Sequence, residues 1–140
     1  MLVLDTDHLS LLQHGDSKEA KHLAARLAAA GEDIATTVVT YEEQTRGWLA
    51  YMARSNALPH QVEAYKRLQL HLESYAEILV LPFDEIAAAE YLRLQRNKLR
   101  MGAFDLKIGA IACSRGDTLL SRNLTDFRKV RGLKVEDWSA

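Results

Sequence analysis

Short apolar runs alternate with longer stretches of helical periodicity, and this alternation restricts the fold more than any other feature. Residues 2–4, 34–39, 78–81 and 118–121 read as strands, and 133–135 is a candidate for a last one. Between the strands, Ala20, Leu23, Ala24, Leu27 and Ala28 recur at three- or four-residue steps. So do Tyr41, Thr45, Trp48 and Met52, and then Val62, Tyr65, Leu68, Leu72 and Tyr75. Gly31 stops the first of these helices, Thr40 opens the second and Pro59 the third. A further helix spans about residues 84–99, and Gly102 precedes one that starts at Asp105. Strands separated by helices are joined by crossovers rather than hairpins, which makes the sheet parallel and covers both its faces. The expectation is an α/β fold in a single domain over residues 1–140, with a short parallel sheet flanked by helices.

Composition narrows the setting. Hydrophobic residues make up 48% and charged residues 26%, as in an ordinary globular domain. Met1 leads straight into a strand, without a basic segment and a long apolar one behind it, and no run approaches membrane-spanning length. A cytoplasmic protein with no membrane partner is expected. Cys113 is the only cysteine, which excludes a disulfide framework and a thiolate zinc site; its apolar surroundings predict a packed, inert thiol. The net charge of −1 conceals an asymmetry, because residues 1–90 hold 7 Lys/Arg against 14 Asp/Glu and residues 91–140 hold 11 against 5. A basic surface beside an acidic pocket would draw a polyanion to a site that holds cations.

In an open parallel sheet, ligands sit beyond the carboxyl ends of the strands. Asp5 ends the first strand, Glu43 lies one turn past the second, and Asn123 and Asp126 follow the fourth, while Asp105 opens its helix. Each acid has a capping alternative: Asp5 or Asp7 for the first helix, a Thr40–Glu43 capping box, Asp105 as an N-cap and Asp126 as a turn residue. Caps, however, need not share one sheet edge. Glu43 and Asp105 are each followed four residues later by glycine, Gly47 and Gly109, which leaves the space over the acid free; close helix packing is the other reason for Gly109. Two carboxylates 4 Å apart repel by about 4 kcal/mol at an effective dielectric near 20. A converged cluster must therefore take up protons, a basic side chain or a metal ion. Oxygen donors favour Mg²⁺ or Mn²⁺ over zinc. His8, His14, His22, His60 and His71 show no ligand spacing, and each is expected to be a surface or hydrogen-bonded side chain.

The segments Leu4-Asp5-Thr6-Asp7, Thr40-Tyr41-Glu42-Glu43, Gly102-Ala103-Phe104-Asp105-Leu106-Lys107-Ile108 and Leu120-Ser121-Arg122-Asn123-Leu124-Thr125-Asp126-Phe127 resemble the PIN-domain ribonucleases. The likeness is greatest to the VapC toxins of toxin–antitoxin pairs, and Gly132-Leu133-Lys134-Val135-Glu136-Asp137-Trp138 is similar to the ending of that group. The resemblance implies a three-layer PIN-like fold and a Mg²⁺- or Mn²⁺-dependent endoribonuclease acting on tRNA or another structured RNA. By position it makes Asp5, Glu43 and Asp105 the metal-binding acids, with Glu43 preferred over its neighbour Glu42. Asn123 and Asp126 share the family's fourth acidic position; Asn123 would bring an amide oxygen and no charge, which weighs against a second tightly held metal. Ser121 would then support a carboxylate or a water, and Arg122, Lys107, Arg100 and Lys98 would be candidates for RNA phosphate contacts. A cognate VapB-like antitoxin and a homodimer are implied as partners, and residues around Trp48, Leu49 and Tyr51 are candidates for an interface, with core packing the alternative for Trp48.

Two other functions compete. An apolar strand leading into Asp5-Thr6-Asp7 is similar to the start of aspartyl-phosphate phosphatases, but His8 and Leu9 depart from their continuation and Glu43 would be idle. A PIN-like fold kept only as a non-catalytic binding module is the other.

Overall fold

The computed structural model describes residues 1–140. The chain runs through β1 (Leu2–Leu4), α1 (Thr6–His14), α2 (Lys18–Ala30), β2 (Ile34–Thr37), α3 (Val38–Met52) and α4 (Leu58–Ser74). A 3-10 turn (Tyr75–Glu77) leads to β3 (Leu79–Leu81), followed by α5 (Glu85–Arg96), α6 (Ala103–Arg115), β4 (Thr118–Leu120), α7 (Leu124–Phe127) and β5 (Lys134–Glu136). The five strands form one sheet in the order β3-β2-β1-β4-β5, and every ladder is parallel. Leu2 pairs with Ile34 on one side and with Thr118 on the other, so β1 is the central strand. The chain winds outward from β1 through β2 to β3, then returns to the far side of β1 for β4 and β5. The direction of winding thus reverses at β1, and the crevice beyond β1 and β4 is where such a sheet leaves room for a ligand.

The period of two along β1 sorts the core into two layers. Val3 packs with Ala35, Ile108, Ile111, Leu119 and Phe127 on the face covered by α5 and α6. Leu2 and Leu4 face the other way, into Leu9, Leu23, Leu27, Leu120 and Trp138 under α1 and α2. A smaller cluster of Leu94, Leu106, Ala110 and Val130 joins α5 to α6. This is the expected three-layer arrangement.

Several boundaries differ from expectation, each for a local reason. The β-branched run 34–39 ends as a strand at Thr37, whose hydroxyl accepts the Thr40 amide at 3.0 Å and caps α3 two residues before Val39. The first helical stretch is two helices. Gly15 closes α1 in the left-handed conformation at φ 65°, and Ser17 opens α2 by accepting from the Ala20 amide. The helix expected from Asp105 starts at Ala103, with Gly102 as its N-cap.

Candidate active site

Asp5 is held where β1 becomes α1. Its amide donates to the Leu120 carbonyl at 3.1 Å, which ties it to the end of β4, and its Oδ1 accepts the His8 amide at 2.8 Å. Asp5 is therefore the N-cap of α1 and at the same time lines a cleft of about 570 Å³. Glu43 reaches the same cleft from the second turn of α3, Asp105 from the first turn of α6 and Asn123 from the loop after β4. The capping alternatives for Glu43 and Asp105 fail in the structure. Thr37, not Thr40, caps α3, which takes Glu43 out of any capping box, and Asp105 sits within the helix that Gly102 begins. Both carboxylates face the cleft because no backbone amide claims them.

Burial and mutual repulsion govern the charges. The Asp5 carboxyl is pushed up to about 6, chiefly by burial; hydrogen bonds from Ser121 and from the His8 amide oppose the shift, and Asp7 and Asp105 add to it. Asp105 is also raised, first by burial and then by Glu43 and Asp126, against a hydrogen bond from Asn123. The carboxylates are thus close enough to resist one another's ionisation. Ser121 is fully buried; besides its bond to Asp5, its Oγ accepts the Asn123 amide at 2.9 Å. The Asn123 side chain donates from Nδ2 to Asp105 Oδ2 at 3.2 Å and to Asp126 Oδ2 at 3.1 Å. An amide held between two carboxylates must turn its NH₂ to them, so Asn123 orients Asp105 rather than offering its oxygen beside it.

The remaining candidates separate. Asp126 does not line the cleft; its carboxylate accepts from Asn123 and, at 3.0 Å, from Lys129 Nζ, which holds its pKa down. Arg122 does line the cleft, where it makes a two-point bond to Asp7 at 2.5 and 2.7 Å. Lys107 turns away and places its ammonium about 6 Å from the Phe83 and Tyr91 rings. Lys98 and Arg100 are exposed on the loop between α5 and α6, outside the cleft lining. The void expected beside Asp105 is absent, because a Cβ on Gly109 would meet the Phe127 ring at 3.4 Å. Helix packing explains that glycine, whereas a Cβ on Gly47 would meet nothing within 4 Å.

Sequence reasoning missed Thr6, Asp7 and Ser10 as cleft residues, although their spacing from Asp5 along one helical turn was the available signal. It also missed His8. This imidazole is fully buried, and its Nε2 accepts the Trp138 amide at 3.3 Å. Its proton then belongs on Nδ1, which has no partner and lies 3.8 Å from Asp5 Oδ1. Burial holds the ring below its ordinary pKa and keeps it neutral. Far from being scattered, His8 brings a ligand-type atom within 4.8 Å of Asp5 and Asp7. His71 does fit its expectation: it is buried, with Nε2 2.8 Å from Thr45 Oγ1. Cys113 is half-buried rather than packed away, and burial raises its thiol pKa.

A doubly covered parallel sheet whose winding reverses above an acidic cleft defines a class of small α/β domains built around a carboxylate cluster. The chain belongs to the PIN domain family, whose model matches residues 2–133. Among curated proteins it is similar to the tRNA(fMet)-specific endonuclease VapC of Shigella flexneri, with 35% identity over 68 residues, 46% of this chain. The chain spans about half the length of that relative, 52%. Among solved structures it is similar to DNA-bound VapBC from Salmonella typhimurium, at TM-score 0.74 and 23% identity over 98% of this chain and 97% of that one. VapBC-1 from nontypeable Haemophilus influenzae aligns at TM-score 0.72 and 21% identity, covering 99% and 98% of the two chains. These two likenesses describe the fold.

Proposed function

We propose that the protein is a metal-dependent endoribonuclease, the toxin of a toxin–antitoxin pair, which hydrolyses phosphodiester bonds in tRNA or another structured RNA. The observation that carries this reading is the convergence of Asp5, Glu43 and Asp105 on one cleft, with the Asp5 carboxyl pushed up to about 6. Family membership and the likeness to a curated tRNA endonuclease support the reaction class.

The donor set fits a hard divalent cation, Mg²⁺ or Mn²⁺. The three acids offer only oxygens, and two of them, Asp5 and Asp105, have ionisation opposed by burial and by neighbouring carboxylates. Arg122 is committed to Asp7, which leaves these three without a basic counter-ion in the cleft. Asp5, Glu43 and Asp105 would hold the cation, which when bound supplies a Lewis acid for the scissile phosphate and lowers the pKa of water. Ser121 and the His8 amide fix the Asp5 oxygens, and Asn123 fixes Asp105. The carboxylates therefore meet the substrate already oriented, which spares reorganisation in the transition state. Arg122, at the mouth, would meet a phosphate only by giving up part of its two-point bond to Asp7; Lys98 and Arg100 would act only on more distant phosphates, and Lys107 takes no part.

The phosphatase alternative loses its acid–base group, because Asp7 is bound at two points by Arg122. A VapB-like antitoxin and a toxin homodimer complete the proposal; the VapBC assemblies of similar fold support the antitoxin. The test is incubation of total RNA with purified protein, followed by mapping of new ends. Five-prime phosphates should appear with Mg²⁺ or Mn²⁺, and neither in EDTA nor with Asp5→Asn or Asp105→Asn. RNA binding without any cleavage by the wild type would make the chain a binding module instead.

A further inference from the structure

Two buried side-chain nitrogens find no hydrogen-bond partner, His8 Nδ1 and Trp138 Nε1, and both belong to the contact between α1 and the C-terminal segment. The Trp138 ring gains a polar neighbour in the Arg26 guanidinium, 4.4 Å from its centroid. His8 Nδ1 has no such substitute. His8 follows Asp5 by three residues, so one helical turn brings its main chain and its ring to the same oxygen. The His8 amide donates to Asp5 Oδ1 at 2.8 Å, and Nδ1 stands 3.8 Å from that atom. The other end of the ring decides which nitrogen carries the proton. Nε2 accepts the Trp138 amide at 3.3 Å. Asp137 Oδ1, 3.6 Å from Nε2, is the acceptor that could draw a proton to that side, but the Ser139 amide and hydroxyl already occupy it at 2.9 and 2.6 Å. The neutral ring therefore turns an N–H, not a lone pair, toward Asp5. That removes His8 as a metal ligand, although its nitrogen lies within 4.8 Å of oxygens of Asp5 and Asp7.

We propose that His8 is a positioning residue: its Nδ1–H is the donor held in reserve for the ionised Asp5 carboxylate, and the Trp138 amide keeps it a donor by occupying Nε2. The inference rests on the nuclease reading, in which Asp5 holds the cation, and adds a support for that ligand supplied from the far end of the chain. Asp5 has need of it. Its side chain is 6% exposed, and Asp7 and Asp105 both oppose its charge. A cationic donor would neutralise the carboxylate and compete with a metal ion for it, as Arg122 occupies Asp7. A neutral N–H favours the anion and leaves its charge for the cation. At 3.8 Å the Nδ1–H lies about 0.6 Å beyond the ordinary limit of an N–H···O bond. The contact is thus poised rather than made, and a small shift of either side chain completes it. A buried donor left without an acceptor is a cost that folded proteins rarely bear where packing alone is served.

The two ring nitrogens are replaced one at a time. Glutamine places its amide oxygen near Nε2 and abandons Nδ1, whereas asparagine places its amide nitrogen near Nδ1 and abandons Nε2. The full chain carrying His8→Gln or His8→Asn is titrated with Mn²⁺, free ion being counted by electron paramagnetic resonance, and metal-free samples are unfolded in urea in parallel. His8→Gln should lose Mn²⁺ affinity by about ten- to hundredfold and keep more of its urea resistance than His8→Asn. His8→Asn should unfold earlier yet hold Mn²⁺ more tightly than His8→Gln. The proposal is overturned if His8→Gln binds Mn²⁺ like the wild type, or if the two variants lose affinity equally, which would leave the ring a packing role alone. Should the variants fail to fold, the wild type decides. The ring nitrogen shifts of metal-free protein should place the proton on Nδ1, and the Mn²⁺ spin-echo spectrum should show no directly bound nitrogen. A proton on Nε2, or an imidazole on the ion, overturns the proposal. A wild type that binds no Mn²⁺ would sink the cation reading and this inference together, whereas every other adverse outcome sinks this inference alone.

Discussion

Asp5 carries two demands that conflict. Its Oδ1 caps α1, which any hydrogen-bond acceptor does well, while its charge sits buried among other carboxylates. Because its folded-state pKa of about 6 lies above its ordinary 3.8, the folded protein holds this proton more tightly than the unfolded chain. That contribution to stability is fully present below the ordinary value and is lost as pH rises through 6. A shift of about two pH units corresponds to roughly 3 kcal/mol as an upper figure. Asparagine is as good an N-cap as aspartate and brings no charge. Asp5→Asn should therefore raise stability in EDTA at pH 7.5 by about 1–3 kcal/mol in urea unfolding, with the gain vanishing near pH 3.5. A variant less stable than wild type at pH 7.5 would show that the buried charge is already neutralised. By the same linkage, a cation bound at Asp5 would displace its proton. Calorimetric titration with Mn²⁺ in buffers of different ionisation enthalpy should show proton release at pH 6 that fades by pH 8; no buffer dependence at pH 6 would exclude it.

At the scale of elements, Thr37 decides where strand becomes helix. Val38 and Val39 favour β-structure, and the run 34–39 reads as one strand, yet the Thr37 hydroxyl offers the Thr40 amide a partner that starts α3 early. Thr37→Val keeps the volume and deletes the cap. It should cost about 1–2 kcal/mol in denaturant unfolding, more than the same exchange at exposed Thr125, and an equal cost at the two positions would deny Thr37 its role. The parallel α/β plan and the sheet edge shared by Asp5, Glu43 and Asn123 were legible because strands, helices and acids alternate with clear period. The Thr37 cap was not, since a hydroxyl competes with a β-branched backbone only once β2 is fixed in its sheet. Nor was α7, whose four residues are too short for any periodicity. Gly109 and Gly47 looked alike in sequence, and only the Phe127 ring, placed by α7, tells them apart. Lys107 and Arg122 were equally cationic on paper; rotation of α6 sends one to Phe83 and Tyr91, while the loop after β4 delivers the other to Asp7.

Across the whole molecule, the C-terminal segment reaches back to the start of the chain. Trp138 is 7% exposed within the Leu2–Leu4 layer, its amide bonds to His8, and Arg26 covers its ring at 4.4 Å. Trp138→Ala should cost about 3–5 kcal/mol. It should also loosen His8 beneath Asp5 and so weaken Mn²⁺ binding; a large loss of stability with unaltered Mn²⁺ affinity would uncouple the two. No helix is long and apolar enough to cross a membrane. The position of β1 at the centre of the sheet has a further consequence in time. During synthesis β1 finds one of its two neighbours only when β4, more than a hundred residues later, has been made. At about 5–20 residues per second, Asp5 waits several seconds for Asp105 and Asn123. A nascent chain therefore carries Asp5 for that interval without the rest of its cleft, and the acid cluster closes only once β4 has taken its place beside β1.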